Sequence, residues 1–200
     1  MSAQTETATE TRGRPRVGDP GAISDIALKL MAQHGWSATT MQRIATASGI
    51  SAPTLFRYFP TKADVLWHRL DENAEFFRFA FDERAHRQDL GQAITDSYLA
   101  MLLADPDRLR TVKKRIAILA RDDDAANASW AKFEQWRLLV TDMVADARQQ
   151  PSSALPIKIA GAMIWAALWA ALSSWSTSED DDPTPYVATA HQFIAPAVAS

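Results

Sequence analysis

Apolar residues along this chain recur at intervals of three and four. No run of alternating β-branched residues bounded by turn signals appears. Ile23, Ile26, Ala27, Leu30 and Met31 form the first stripe, with the spacing that one helix face requires. Asp19-Pro20 opens this helix, Asp as N-cap and Pro at the first helical position, where its missing N–H is harmless. Gly35 closes it. A second helix is expected from Thr39, where "TTMQ" reads as a capping box with Thr39 at N-cap and Gln42 at N3, to about Ser48. A third runs from Ser51, with Pro53 in its first turn, to about Tyr58. Thr61 and Asp64 form another capping box and open a long fourth helix reaching about Arg87. Punctuation at Gly91, Asp105-Pro106, Asp122–Asp124, Pro151–Pro156 and "SEDDDPTP" (178–185) leaves room for five more. The pattern predicts an all-α chain of about nine helices. It has three parts: an arm over 1–17, a three-helix unit over 18–63 and a larger helical body over 64–200.

"LPIKIAGAMIWAALWAALSSW" (155–175) is apolar nearly all round and long enough to span a bilayer. Lys158, its alanine content and the lack of basic flanks favour a buried helix instead. Two rows run along it. Ala162, Ala166, Ala170 and Ser174 are small and permit close approach of another backbone, whereas Trp165, Leu168, Trp169 and Leu172 are bulky. One face would meet a second copy and the other the body. With the last helix (Pro185–Val198), this predicts a four-helix contact across a two-fold axis.

Charge sharpens the division. The 200 residues carry a net charge of −3, yet Arg12–Lys62 holds seven Lys/Arg against two Asp. A basic end on an acidic body suits a protein of which only that end meets a polyanion. Absence of cysteine removes disulfides, thiolate catalysis and cysteine-bound metal. With no apolar export signal in "MSAQTETATET", a cytoplasmic protein is expected.

"TTMQRIATASGISAPTLFRYF" (39–59) places two short helices around a turn at Gly49, with Ala45 at their crossing and Ile44, Ile50 and Leu55 as a small core. This is a helix-turn-helix pattern, whose second helix enters the DNA major groove. An ordinary αα-hairpin also satisfies it. The longer stretch "GWSATTMQRIATASGISAPTLFRYFPTKADVL" (35–66) resembles the DNA-binding domain of TetR-family transcriptional regulators, over roughly residues 18–68. "LFRYFPTKADVLW" (55–67) further resembles the mycofactocin-associated branch. The resemblance implies an all-α homodimeric regulator, by family default a repressor. It would bind a palindromic operator and release it when a small molecule occupies the helical body.

The same resemblance assigns site residues. Thr40 corresponds to a phosphate contact and Thr54 and Arg57 to base-reading positions on the third helix. Arginine is suited to guanine O6 and N7. Ala52 and Pro53 offer only apolar contact, as to a thymine methyl, and Gln42 and Arg43 are secondary candidates. Tyr58 and Lys62 correspond to a phosphate clamp; Phe56 stands where most members carry tyrosine and lacks the hydroxyl. The bland readings are a solvated Arg57 and a core Tyr58. "RGRPR" resembles a minor-groove AT-hook, in which Arg12, Arg14 and Arg16 meet a narrow negative groove; a solubilising tail is the alternative.

Aromatic surplus in the body points to an effector pocket built from Trp67, Phe76, Phe79, Trp130, Phe133, Trp136, Trp165 and Trp169. "RLRTVKKR" (108–115) is either a solvated face or a receiver for the phosphates of an acyl-CoA-like amphiphile. No cofactor or metal is expected: the four histidines have no HExxH spacing, and no P-loop, GxSxG or GxGxxG occurs, so an enzyme is disfavoured. A peripheral membrane adaptor, using the basic arm and the apolar helix, is the remaining rival.

Overall fold

The computed structural model describes residues 18–199, which form eleven α-helices. The first three follow the caps closely. Helix α1 (Pro20–His34) starts at Asp19, whose carboxylate accepts from Gly21 N–H, and ends at Gly35 with φ +80°. Helix α3 (Ala52–Tyr58) is capped by Ser51, which accepts from Thr54 N–H. Between them lies α2 (Met41–Ala47), where the sequence expectation fails by one residue. Its N-cap is Thr40, accepting from Arg43 N–H. Thr39 is fully buried and donates its hydroxyl to Gly35 C=O, 2.8 Å away, so it ties the preceding turn instead of capping the helix. Gly49 takes φ +68° in the α2–α3 turn, a conformation that costs a side-chain-bearing residue about 1–2 kcal/mol.

The expected long fourth helix is two helices, α4 (Lys62–Leu66) and α5 (Leu70–Ala85). The Thr61–Asp64 capping box is present at the start of α4. Trp67, His68 and Arg69 break the run, with Arg69 left-handed at φ +65°. The break seats the Trp67 ring in the interior, edge-on to Phe133, and sets His68 edge-on to Phe59. A second unexpected helix is α8 (Asp123–Ala128). It follows α7 (Pro106–Arg121) through an extended Asp122, which caps α8 by accepting from Ala125 N–H. These two differences turn nine expected helices into eleven.

The body is completed by α6 (Leu90–Leu103), α9 (Trp130–Arg148), α10 (Leu155–Thr177) and α11 (Thr184–Ala197). α10 is the axis, packing on α7, α9 and α11. It passes the length and composition test for a membrane span, but Ile157, Ile164, Leu168, Leu172 and Trp175 are buried among those helices. Its other side, Leu155, Ile159 and Met163 with the small row, is exposed.

Two glycines bring helices closer than any side chain allows. Gly91, expected as a break, is a residue of α6. A Cβ there would lie 2.8 Å from Ala195 Cα on α11. Gly161 on α10 does the same against α9, where a Cβ would sit 2.9 Å from Thr141 Cα. At Gly91 the nearest obstacle is backbone, which cannot rotate away; at Gly161 it is the Thr141 side chain together with its Cα. Gly91→Ala is therefore expected to cost about 1–3 kcal/mol. Thermal unfolding followed by circular dichroism should show a melting temperature lower by several degrees. An unchanged midpoint would mean that α6 and α11 can move apart freely.

Candidate nucleic-acid interface

Helix α3 is short, so its faces are easily assigned. Leu55 is fully buried, while Pro53, Phe56 and Arg57 are exposed and spaced three and four apart on the opposite side. Ala52 is half-buried against the core. Thr54 is half-buried and its hydroxyl lies 2.8 Å from that of Ser51, so it partly serves the cap. The Arg57 guanidinium stands 5.4 Å from the Tyr58 ring centroid. The contact is a cation–π one at an exposed site, worth about 0.5–1 kcal/mol. Tyr58 is itself partly exposed, with its hydroxyl beside Gly18, where the chain enters the fold. On α2, Thr40, Gln42 and Arg43 are exposed. Arg43 folds back to donate to Ala38 C=O at 3.4 Å. Arg12, Arg14 and Arg16 lie outside the described residues.

Lys62 occupies an unexpected place. Its ammonium donates to Trp36 C=O at 2.6 Å and sits 4.0 Å from the centre of the Trp36 ring. Partial burial lowers its pKa, which Asp122 and Asp124 pull back up. The lysine thus closes the turn after α1 as well as presenting charge. Asp124 also accepts from Ser37 at 3.2 Å, and Lys132 lies 3.8 Å from Asp64. These contacts join the small unit to α8 and α9.

A deeper link joins α1, α4 and α7. Arg115 of α7 is 5% exposed. It donates through Nη2 to Ser24 Oγ at 3.1 Å, and Ser24 in turn donates to Val65 C=O at 2.9 Å. Burial pushes the arginine pKa down to about 10, against the pull of Asp25. At neutral pH it remains a buried cation.

These features coincide with known proteins. The model for "Bacterial regulatory proteins, tetR family" matches residues 23–67, and the model for the "MftR C-terminal domain" matches residues 88–199. The chain belongs to the TetR family. Within it, the chain is a regulator of the mycofactocin-associated branch. It is 26% identical over 183 residues to MftR of Mycobacterium tuberculosis, described as a mycofactocin biosynthesis transcriptional regulator, covering 91% of this chain and 92% of that one. It is 34% identical over 101 residues to the HTH-type transcriptional repressor ComR of Escherichia coli, about half of each chain. The fold resembles that of Thermus thermophilus FadR, a TetR-family repressor solved with lauroyl-CoA. The TM-score is 0.52 at 18% identity, over 88% of this chain and 93% of that one. TetR-family membership makes α2 and α3 the helix-turn-helix and α3 the recognition helix.

The body of this regulator contains an aromatic cluster of Trp67, Phe133, Trp136, Trp165 and Trp169 in mutual contact, extending through Trp136 to Phe77. Trp67, Trp136, Trp165 and Trp169 line a closed apolar cavity of about 20 Å³ together with Tyr98 and Asn73. Phe76, Phe79 and Trp130, grouped with them from the sequence, are on the surface: Phe79 is 66% and Trp130 68% exposed. Among the described side chains of α5 the buried ones are Asn73, Phe77, Ala80 and Phe81, so position 79 falls on the far side and 76 at the margin of the buried face. Trp130 begins α9 and points outward.

The basic stretch 108–115 does not act as one face. Arg110 pairs with Asp107, and Lys113 reaches Asp180 C=O and the Trp175 ring, whereas Arg108 and Arg115 turn inward. The sequence reading missed Arg115. The signal was present, because it shares the 112–116–119 spacing of Val112, Ile116 and Leu119. Among the described residues no cluster of three or more His, Asp or Glu is arranged to hold a metal.

Lys62→Met should separate the two roles of this lysine. Loss of the Trp36 hydrogen bond and ring contact is expected to destabilise the fold by about 1–2 kcal/mol. Denaturant unfolding measures this directly. A stability equal to wild type would make Lys62 a surface charge only.

Proposed function

We propose that this regulator is a ligand-responsive repressor that binds a palindromic operator as a homodimer through α3 and the basic arm, and leaves it when a hydrophobic effector of the acyl-CoA class occupies the body. The observation that carries the DNA reading is the outward face of α3, where Arg57 is exposed and stacked on Tyr58 opposite a fully buried Leu55. An exposed arginine at this position suits bidentate contact with guanine. Gly18, the first described residue, lies beside Tyr58 at the end of α3. The small unit is taken to end, and the body to begin, at the short helix α4.

Dimerisation is supported by the exposed side of α10 and α11. A groove of about 670 Å³ runs between these helices, floored by Ala166, Ala170 and Ser174 and flanked by Met163, Tyr186 and Phe193. Phe193 is 65% exposed and Leu155 69%, a sizeable apolar area for a surface. A second copy inserting its own α10 and α11 would cover it, and a two-fold contact of this kind fixes two recognition helices for two half-sites about 10 bp or a multiple apart.

The effector reading rests on the aromatic cluster and on the fold shared with a repressor solved with lauroyl-CoA.

Sequencing of genomic fragments retained by the purified protein at about 150 mM salt should return a few sites sharing a palindrome, because this salt suppresses phosphate-only binding. Uniform recovery would defeat the operator reading. Against the recovered site, Arg57→Ala should relax preference at one base pair by about 1–3 kcal/mol. Removal of residues 1–16 should weaken all sites and flatten the salt dependence. A series of acyl-CoAs should release the DNA and change tryptophan emission together. Emission that changes without release would leave a binding protein with no switch.

A further inference from the structure

Beside the aromatic cavity lies a second one of different character. It measures about 220 Å³, opens to the surface and is bordered by α1, the α4–α5 break, the first turn of α5 and α7. Arg69, Arg108 and Arg115 line it with His68. Asp25, Asp105 and Asp107 also reach it, but each is engaged or peripheral. Asp105 caps α7 by accepting from the N–H groups of Asp107 and Arg108, Asp107 pairs with Arg110, and Asp25 is exposed at the rim. Glu72 is 3.9 Å from Arg69 and from Arg108, at the half-exposed edge. The innermost cation is the least satisfied. Arg115 is 5% exposed, bonds only Ser24 among the described residues, and its Nε has no partner. A buried guanidinium with an unmade bond is costly unless a further acceptor arrives. Burial, with Arg115 and Arg69 beside it, holds the His68 pKa below its ordinary value against the opposing pull of Glu72 and Asp19.

One residue belongs to both cavities. Asn73 of α5 is 4% exposed, accepts from Arg108 at 3.2 Å, and lines the cationic cavity on one side and the aromatic cavity on the other. Across the aromatic cavity, the buried Trp67 Nε1–H also lacks an acceptor. The geometry points to a single bipartite site for an amphiphile, with an anionic head among Arg69, Arg108 and Arg115 and an apolar chain passing Asn73 into the tryptophan cluster. This deepens the effector reading above and rests on it. The aromatic cavity in its present form holds about one water, so the chain enters only as the indoles part. The head has room already. An anion accepting from Arg115 Nε–H shares the guanidinium with Ser24, which Nη2 bonds and which joins α7 to α1 and, through Val65, to α4. Head-group binding is thereby felt at the helix that carries the operator-binding unit.

Carboxylate and phosphate heads share the chemistry, so the test uses three probes of equal chain length: laurate, lauroyl-CoA and uncharged dodecanol. Binding to the full chain is followed by tryptophan emission at two salt concentrations. At least one anionic probe is expected to bind about tenfold or more tightly than dodecanol, as charge-assisted hydrogen bonds in a desolvated site require. That preference should shrink with salt and fall towards one in Arg69→Asn/Arg108→Gln. Asn is chosen at 69 because it tolerates the left-handed backbone. Preference for laurate identifies the head as a carboxylate, and preference confined to lauroyl-CoA identifies it as phosphate. Equal binding of all three probes to the unaltered protein overturns the head-group site and leaves the hydrophobic effector standing. No binding of any probe overturns both.

Discussion

A single buried cation sets the terms for the rest of this molecule. Arg115 projects from the middle of α7 into the space between α1 and α4, where the only described hydrogen-bond partner is one serine hydroxyl. Removing a guanidinium from water costs several kcal/mol unless its protons find acceptors. The fold answers with Ser24, which passes the bond on to Val65 C=O. Because that chain is made of two hydrogen bonds and no salt bridge, it is strong enough to register three helices and weak enough to be rearranged. The small unit and the body share one continuous apolar core, so a displacement of α7 has to be felt in α1.

Around this junction the chain distributes its contacts unevenly. On the outer side Lys62 is held by Trp36, and Ser37 and Lys132 bridge to Asp124 and Asp64. All are at least partly exposed and individually modest. On the inner side an aromatic cluster fills the body almost without void, while a polar cavity ten times larger stands open next to it. A well-packed apolar half and an under-satisfied polar half thus meet at Asn73.

Much of this was legible in the chain. Caps at Asp19, Ser51 and Thr61 announce themselves because short polar side chains before apolar runs have few other uses. The buried and exposed rows of α10 follow from residue size and spacing alone. The misses have physical causes. Two adjacent threonines can each cap a helix, and only tertiary packing decides that Thr39 is buried. The α4–α5 break contains no Gly, Pro or Asn; a left-handed arginine is sustained by the seating of Trp67 and His68, which local sequence does not reveal. Aromatic composition pointed to a large apolar interior in the body but could not separate Phe77 from Phe76, since a core position and its neighbour differ by a 100° turn. Arg115 was concealed by its basic neighbours: in a run of cations, the one on the apolar face looks like the others.

The two glycine contacts give the body a fixed wall and a travelling one. Gly91 meets the Ala195 backbone and Gly161 meets both the side chain and the Cα of Thr141, so α6 to α11 and α9 to α10 have no slack to lose. A stop of this kind blocks approach and not separation, so inward adjustment of the body is left to the elements without one. α7 is one of them, and its far side rests on α1. Rearrangement of the interior is then shared unevenly: the two glycine seams can open but not tighten, whereas α7 meets α1 through side chains that can change rotamer.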